Sequence, residues 1–256
     1  MLRDLKLGAG YVLIGFKLIV APGLRRYVLV PLAINGLLFA LGIAYGARLV
    51  STLIDAWLPD WLRWLDWLLW PLFVLLVLGA VFFGFSLVAN LIAAPFNGSL
   101  AQAVETHLRG EPMSAPAGWS TALRELVAGL GAQLRRLVYF GLWSLPLLVL
   151  SWMPGLGLPA AALSWFLLGA WFMALQYTDY PMANHGLDFP AQRRLLGQRR
   201  WLALGFGIVV MGLTLIPVAN FLAMPIAVAG ATAMWVGAII VTPRGNASAL
   251  PGGDNP

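Results

Sequence analysis

The sequence predicts an all-α integral membrane protein, and three observations lead to that fold class. Of the 256 residues, 61% are hydrophobic and only 10% are charged, whereas a soluble domain is about half apolar and about a quarter charged. Four runs contain no charged residue: 27–47, 67–104, 137–178 and 201–242. A helix needs roughly 20 apolar residues to cross a bilayer, so every run is long enough to span it. The last two runs are each interrupted near their middle.

Ahead of the first run, residues 1–20 predict a helix that lies in the membrane interface. The segment carries Arg3, Lys6 and Lys17, and its uncharged part, 7–16, is only ten residues long. That length is too short to span a bilayer, and a few cations on an apolar helix are typical of a helix lying at the surface. No small-residue cleavage site follows the apolar part, so we do not expect a cleaved signal peptide.

The first two runs each predict one long transmembrane helix. The first has about the length of one span, and the second leaves a surplus around 90–97 after a single crossing. Neutral amides lie within these runs, at Asn35, Asn90 and Asn97. Such amides either line a pore or bond to a neighbouring helix. Both interpretations stay open, and the three are candidate pore residues.

The last two runs predict short-helix hairpins. One is interrupted by M-P-G-L-G-L-P at 153–159 and the other between Pro217 and Pro225, where proline stops a helix and glycine permits a turn. Each run forms either two short transmembrane helices or a re-entrant hairpin, and we favour the hairpin because pieces of about 17 residues are short for a span. A hairpin tip inside the bilayer must be covered by protein or a water-filled cavity.

Helical extensions are predicted outside the membrane, in one helical membrane domain over 1–242. Apolar residues recur at helical spacing just before the third run, at Leu123, Leu126, Val127, Leu130 and Leu134. Arg124 lies on this helix and is a further candidate for the pore or its coupling. The tail, 243–256, is rich in Gly, Pro and Asn, a composition that predicts disorder.

The charge distribution predicts the orientation. Segment 48–66 holds two of the sixteen Lys and Arg residues, and the other fourteen fall on the opposite side of the membrane. The positive-inside rule places that side, with both termini, in the cytoplasm. Loop charge of this kind also explains the net charge of +6, so no nucleic-acid surface is expected.

The residue inventory argues against an enzyme. The chain has no Cys, which excludes disulfides and thiol catalysis, and its two histidines, His107 and His185, are too few for a multi-His metal site. His185 precedes Asp188 by three residues, a spacing that an acid–base pair could use. A membrane enzyme using that pair is one alternative, and a lipid-binding scaffold without transport is another. We expect no metal and no cofactor.

Residues 21–27, A-P-G-L-R-R-Y, combine a chain break with two adjacent cations. Pro22 is expected to end the first helix, Gly23 permits an unusual backbone, and the spanning helix begins near Arg25 and Arg26. A helix N-terminus has amides without intrahelical acceptors and carries partial positive charge, so this element suits a tetrahedral oxyanion. Alternatively, the arginines anchor to lipid phosphates, and from these residues alone both interpretations stay open.

Five blocks of the sequence resemble the bacterial CysZ family of sulfate transport proteins. They occur in the same order as in that family and cover roughly residues 11–242. The blocks are P-G-L-R-R-Y from Pro22 with Pro31-Leu32 and Asn35, A-N-L-I-A-A-P-F-N-G-S-L-A at 89–101, M-P-G-L-G at 153–157, A-L-Q-Y-T-D-Y-P-M-A-N-H-G at 174–186, and I-P-V-A-N-F-L-A-M-P-I-A-V-A-G-A-T-A-M-W-V at 216–236.

The resemblance implies a bacterial inner-membrane protein that takes up sulfate for assimilation into cysteine. It implies two long transmembrane helices, two partly inserted hairpins, and homo-oligomers that include antiparallel ones, although the cation asymmetry here argues for one orientation. It also implies proton-dependent transport, for which Glu105 and Asp179, at the edges of the acid-free runs, are our candidates. Sulfate and related oxyanions are the expected ligands, with membrane lipid as a partner. The sulfate site that the resemblance implies consists of Gly23, Leu24, Arg25 and Arg26.

Overall fold

A computed structural model describes residues 1–57, 66–110, 119–153 and 157–240. In these ranges the chain forms helices and the short turns that join them, which confirms the predicted all-α class. The elements are α1 (Leu2–Ile19), α2 (Arg26–Trp57), α3 (Asp66–Arg109), α4 (Trp119–Ser151), α5 (Gly157–Asn184), α6 (Phe189–Gln198), α7 (Arg200–Thr214), α8 (Pro217–Met234) and a π-helical turn (Trp235–Ile239).

Four of the described helices are long and apolar enough to cross a membrane. The qualifying segments are Arg26–Gly46, Gln133–Ser151, Leu158–Asn184 and Ala219–Ile239. The chain is therefore a membrane protein. α7 is also apolar but has only 15 residues, so it is about 23 Å long, less than the roughly 30 Å of a hydrocarbon core.

The chain divides into two compact units. One comprises Arg25–Ser99 and contains α2 and most of α3, and the other comprises Met1–Leu24 with Leu100–Pro256. The second unit contains α1, the last turns of α3, and α4 to α8. The predicted tail, 243–256, lies outside the described residues.

Each of the first two uncharged runs lies in a single long helix. α2 has 32 residues and α3 has 44, so they are about 48 Å and 66 Å long. α3 continues without interruption through the surplus at 90–97 and ends beyond the uncharged run. α4 likewise starts at Trp119 and continues into the third run, so the segment ahead of that run is helical, and its position outside the membrane stays a prediction.

The interruption of the fourth run was predicted at the wrong place. α7 ends at Thr214, and α8 begins at Pro217 and continues through Pro225, so the turn consists of Leu215 and Ile216. Pro217 is the first residue of α8, where its fixed φ and missing N–H favour a helix start rather than a stop. The third run is interrupted as predicted, between Ser151 of α4 and the start of α5, and 154–156 there lie outside the described residues.

Glycines bring the backbones of α1, α7 and α8 into direct contact. A Cβ atom added at Gly8 would overlap the carbonyl oxygen of Leu202 in α7, and one at Gly15 would overlap that of Ile226 in α8. Small residues at helix crossings are typical of membrane proteins, where close packing replaces hydrophobic burial. The opposite face of α1 leaves Leu13 and Phe16 more than half exposed. That α1 lies in the membrane interface remains a prediction.

Candidate functional site

A tight turn joins α1 to α2 and contains the predicted sulfate site. α1 ends at Ile19, just before Pro22 as predicted, because a proline disfavours the helical conformation of the residue before it. The amide of Ala21 donates to the Leu18 carbonyl at 3.0 Å, and the amide of Leu24 donates to the Ala21 carbonyl at 3.1 Å. The residues after α1 therefore form a hydrogen-bonded turn.

Gly23 supplies the unusual backbone that the sequence predicts. Its φ is +88°, in the left-handed region that side chains with a Cβ rarely adopt. A Cβ added there would meet no atom within 4 Å. The requirement for glycine at this position is therefore conformational and does not come from crowding.

The two arginines lie at the start of α2, as predicted. Leu24 is buried, whereas Arg25 and Arg26 are exposed. The Arg25 carbonyl accepts the first helical hydrogen bonds, from Val28 at 3.1 Å and Leu29 at 2.8 Å. The guanidinium of Arg26 lies over the neighbouring tyrosine ring at 4.9 Å, which limits its freedom.

The electrostatics of this turn favour an anion. A helix N-terminus carries partial positive charge, so cations there are unfavourably placed. The first turn of α2 contains no acidic residue, and Arg25 and Arg26 add two further positive charges. An oxyanion at this position would accept from guanidinium and backbone donors together.

The candidate pore residues differ in how far the structure describes them. Asn97 is buried in α3. The backbone at Asn35, Asn90 and Arg124 is helical, but these three side chains lie outside the described part of the structure. The two acidic candidates, Glu105 and Asp179, are both described.

Asp179 links three helices. Its Oδ2 accepts from Nη2 of Arg136 in α4 at 2.7 Å, and its Oδ1 accepts from Nε2 of Gln192 in α6 at 2.9 Å. Gln192 also donates to the Leu187 carbonyl at 2.9 Å. The carboxylate of Asp179 is thus held from two sides.

Glu105 lies in a different polar cluster at the end of α3. Its side chain is 1% exposed, and its Oε1 accepts from Nε of Arg109, one turn later in the same helix, at 2.9 Å. Nε2 of His185 lies 3.0 Å and 2.9 Å from the two carboxylate oxygens. An ionised carboxylate only accepts, so this imidazole nitrogen donates to it. The His185 ring also lies 5.5 Å from the Trp235 ring.

The alternative acid–base pair of His185 and Asp188 is not formed. His185 interacts with Glu105, while Asp188 is the N-cap of α6 and accepts from the amide of Ala191 at 3.0 Å. The spacing that suggested a pair is explained by a turn followed by a helix start, where Asp is favoured.

Near the π-helical turn, Arg199 and Tyr11 approach the same backbone. Arg199 Nη2 donates to the Ala238 carbonyl at 3.3 Å, and a Cβ added at Gly237 would lie 2.8 Å from the Tyr11 hydroxyl. Burial raises the pKa of the Tyr11 phenol, and the Arg199 guanidinium opposes that rise. The phenol is therefore a neutral donor at physiological pH.

The partners of Glu105 could not be predicted from the sequence. Glu105 and His185 are 80 positions apart, and residue spacing carries no signal for a contact at that separation. Within the ranges that the structure describes, no group of three or more His, Cys, Asp or Glu side chains is arranged to hold a metal ion.

Comparison with known proteins identifies the family. Residues 11–225 match the family model described as Sulfate transporter CysZ/Etoposide-induced protein 2.4. A protein named Sulfate transporter CysZ from Pseudomonas paraeruginosa is 47% identical over 232 residues, which are 90% of this chain and 94% of that protein. A protein of the same name from Vibrio cholerae is 40% identical over 232 residues, 90% and 92% of the two chains. The chain therefore belongs to the Sulfate transporter CysZ/Etoposide-induced protein 2.4 family.

Proposed function

We propose that this protein transports sulfate across the bacterial inner membrane and so supplies sulfur for cysteine synthesis. The proposal is supported by the names of relatives that match nine-tenths of the chain and by four described helices that are long and apolar enough to cross a membrane. The fourteen-to-two distribution of cations supports cytoplasmic termini. The proposed transporter is a homo-oligomer. Transport is favoured over an enzymatic role because Asp188 caps a helix and His185 is engaged by Glu105.

Sulfate binds first, in this proposal, at Gly23, Leu24, Arg25 and Arg26. The observation that carries it is the placement of two exposed arginines at the positive end of α2, without an acidic residue in its first turn. Gly23 adopts the left-handed conformation in the turn, and burial of the Leu24 side chain anchors the turn to the protein. Two guanidinium groups and the first amides of α2 then replace part of the hydration shell of sulfate.

Calorimetry on purified protein tests the site. Each charge-assisted hydrogen bond contributes about 1.5–3 kcal/mol, so replacing Arg25 and Arg26 with Ala should weaken sulfate binding by at least about tenfold. Arg193 and Arg194 provide the matched control, because they are also adjacent and exposed, and Arg193 also lies over a tyrosine ring, at 5.1 Å. Equal affinities in the two double variants would exclude the site. Binding of chloride as tightly as sulfate would instead support a surface for anionic lipid.

Proton dependence belongs to the proposal as well, and we assign it to Glu105 rather than Asp179. Asp179 is paired with Arg136, an always-charged partner. Glu105 faces His185, whose side chain is 33% exposed, and proton relays in membrane transporters are typically built from Asp, Glu and His side chains. Arg109 is the other charged group against Glu105. An inward proton gradient should accelerate sulfate uptake by the wild type and not by Glu105→Gln. Loss of the response in Asp179→Asn alone would reverse the assignment.

A further inference from the structure

The carboxylate of Glu105 is held by the kinds of donor that bind oxyanions. One oxygen accepts from the Arg109 guanidinium at 2.9 Å, and the imidazole of His185 contacts both oxygens at 2.9–3.0 Å. Guanidinium and imidazole donors of this kind are also typical ligands of sulfate and phosphate. Glu105 therefore occupies, from within the chain, a set of donors that a free oxyanion could use.

These donors can be reached from outside the protein. The side chains of Arg109 and His185 are 34% and 33% exposed, whereas Glu105 is 1% exposed. The carboxylate is thus the buried member of the cluster, and its two partners lie between it and the surroundings. An incoming anion would meet these two donor side chains before the carboxylate.

Trp235 adds a donor that is not used. Its residue is 6% exposed, and its indole Nε1 is buried without a hydrogen-bond partner in the described structure. Its ring packs beside that of His185 at a centroid distance of 5.5 Å. A buried indole N–H without an acceptor is costly, and an indole can only donate. The group that would satisfy it is an acceptor, such as an anion oxygen.

We propose that Arg109, His185 and Trp235 form a second anion site, which the Glu105 side chain closes. The ligand is a tetrahedral oxyanion with several acceptor oxygens, and it competes with the carboxylate for the same donors. When Glu105 moves away, the site opens; when it returns, the anion is displaced. That the anion is sulfate rests on the proposed function, but the site does not depend on Arg25 and Arg26.

Opening the site by mutation tests the proposal in a background without the first site. In the Arg25→Ala/Arg26→Ala variant, Glu105→Ala should create saturable sulfate binding of about one ion per chain, measured by calorimetry. Glu105→Gln, which keeps the side-chain volume, should bind more weakly than Glu105→Ala but more tightly than the parent. Asp188→Asn is the control, because it removes a carboxylate from the adjacent turn and Asn also caps helices well; it should add no binding.

A further substitution connects the binding to these donors. Trp235→Phe removes the indole N–H and keeps an aromatic ring, so adding it to the Glu105→Ala variant should weaken the new binding by about tenfold. His185→Ala should do the same. Folded Glu105 variants that bind no sulfate, or binding that is indifferent to both substitutions, would overturn the proposal. If the Glu105 variants do not fold, the single substitution Trp235→Phe in the otherwise wild-type protein tests the proposal. It should slow sulfate flux without changing the sulfate affinity of the first site. Unaltered flux would contradict the proposal.

The experiments test the two proposed anion sites independently. Sulfate binding by Glu105→Ala that persists without Arg25 and Arg26 supports the second site even when wild-type affinity is insensitive to both arginines. Conversely, if the Arg25→Ala/Arg26→Ala variant loses sulfate binding and no Glu105 substitution restores it, only the first site is supported.

Discussion

Arg136 of α4 and Asp179 of α5 form an ion pair of 2.7 Å between Nη2 and Oδ2, with side chains that are 7% and 16% exposed. Arg136 directly precedes the third uncharged run and Asp179 directly follows it, so the pair joins the two ends of that run. Because Gln192 donates to the other oxygen of Asp179, the same carboxylate also positions α6. This contact therefore fixes the arrangement of three helices.

Removal of the cation from this pair should destabilise the protein strongly. In Arg136→Ala the carboxylate of Asp179 stays behind without its charged partner, which costs about 3 kcal/mol or more when a buried pair is broken. Thermal unfolding in detergent should show a clearly lower Tm. Arg135→Ala is the control, since Arg135 is adjacent and exposed, and it should unfold near the wild-type temperature. Equal effects of the two substitutions would mean that the ion pair does not hold these helices.

The glycine contacts of α1 predict a position-specific effect of a single methyl group. Gly8→Ala would force the Cβ atom into the Leu202 carbonyl, and overpacking of this kind costs about 1–3 kcal/mol. Gly10→Ala, on the same helix, adds a Cβ with no atom within 4 Å and should be neutral or slightly stabilising, because Ala favours helices. A Tm comparison in detergent measures both, and a stable Gly8→Ala protein would show that α1 does not pack this closely.

The left-handed conformation of Gly23 predicts a graded series. Gly23→Ala meets no clash but should lose roughly 1–2 kcal/mol from backbone strain, and relief of that strain would move Arg25. Asn adopts this conformation more readily, so Gly23→Asn should keep more of the sulfate affinity than Gly23→Ala. Gly36→Ala in α2, which also has free space around its Cβ, should keep all of it. Calorimetry that ranks Ala above Asn would contradict the role assigned to the turn.

The helices could be predicted from local sequence, and so could the turn at Gly23. Uncharged runs identify membrane helices because unpaired charge is costly in lipid, and a Pro-Gly pair ahead of adjacent arginines indicates a new helix start. The turn before Pro217 was misplaced because proline has two meanings: it stops a helix from within and starts one at the first position. α8 accommodates Pro225 in its interior.

The polar clusters could not be predicted, because their members are distant in sequence. Glu105 and Asp179 were selected only for their position at the edges of uncharged runs. Their partners, His185 and Arg136, become neighbours through helix packing. The unused donor of Trp235 is likewise a property of the packed structure. Spacing had suggested Asp188 as the partner of His185, and helix capping explains that residue instead.

Sulfate flux into proteoliposomes tests the central claim, which is that the protein moves sulfate by way of the arginine pair at the start of α2. Vesicles that contain the wild-type protein should take up radiolabelled sulfate faster than empty vesicles, and Arg193→Ala/Arg194→Ala should match the wild type. Arg25→Ala/Arg26→Ala should reduce the rate by at least about tenfold, in line with two lost charge-assisted contacts. Wild-type flux equal to that of empty vesicles, or full flux in the Arg25→Ala/Arg26→Ala protein, would contradict the account.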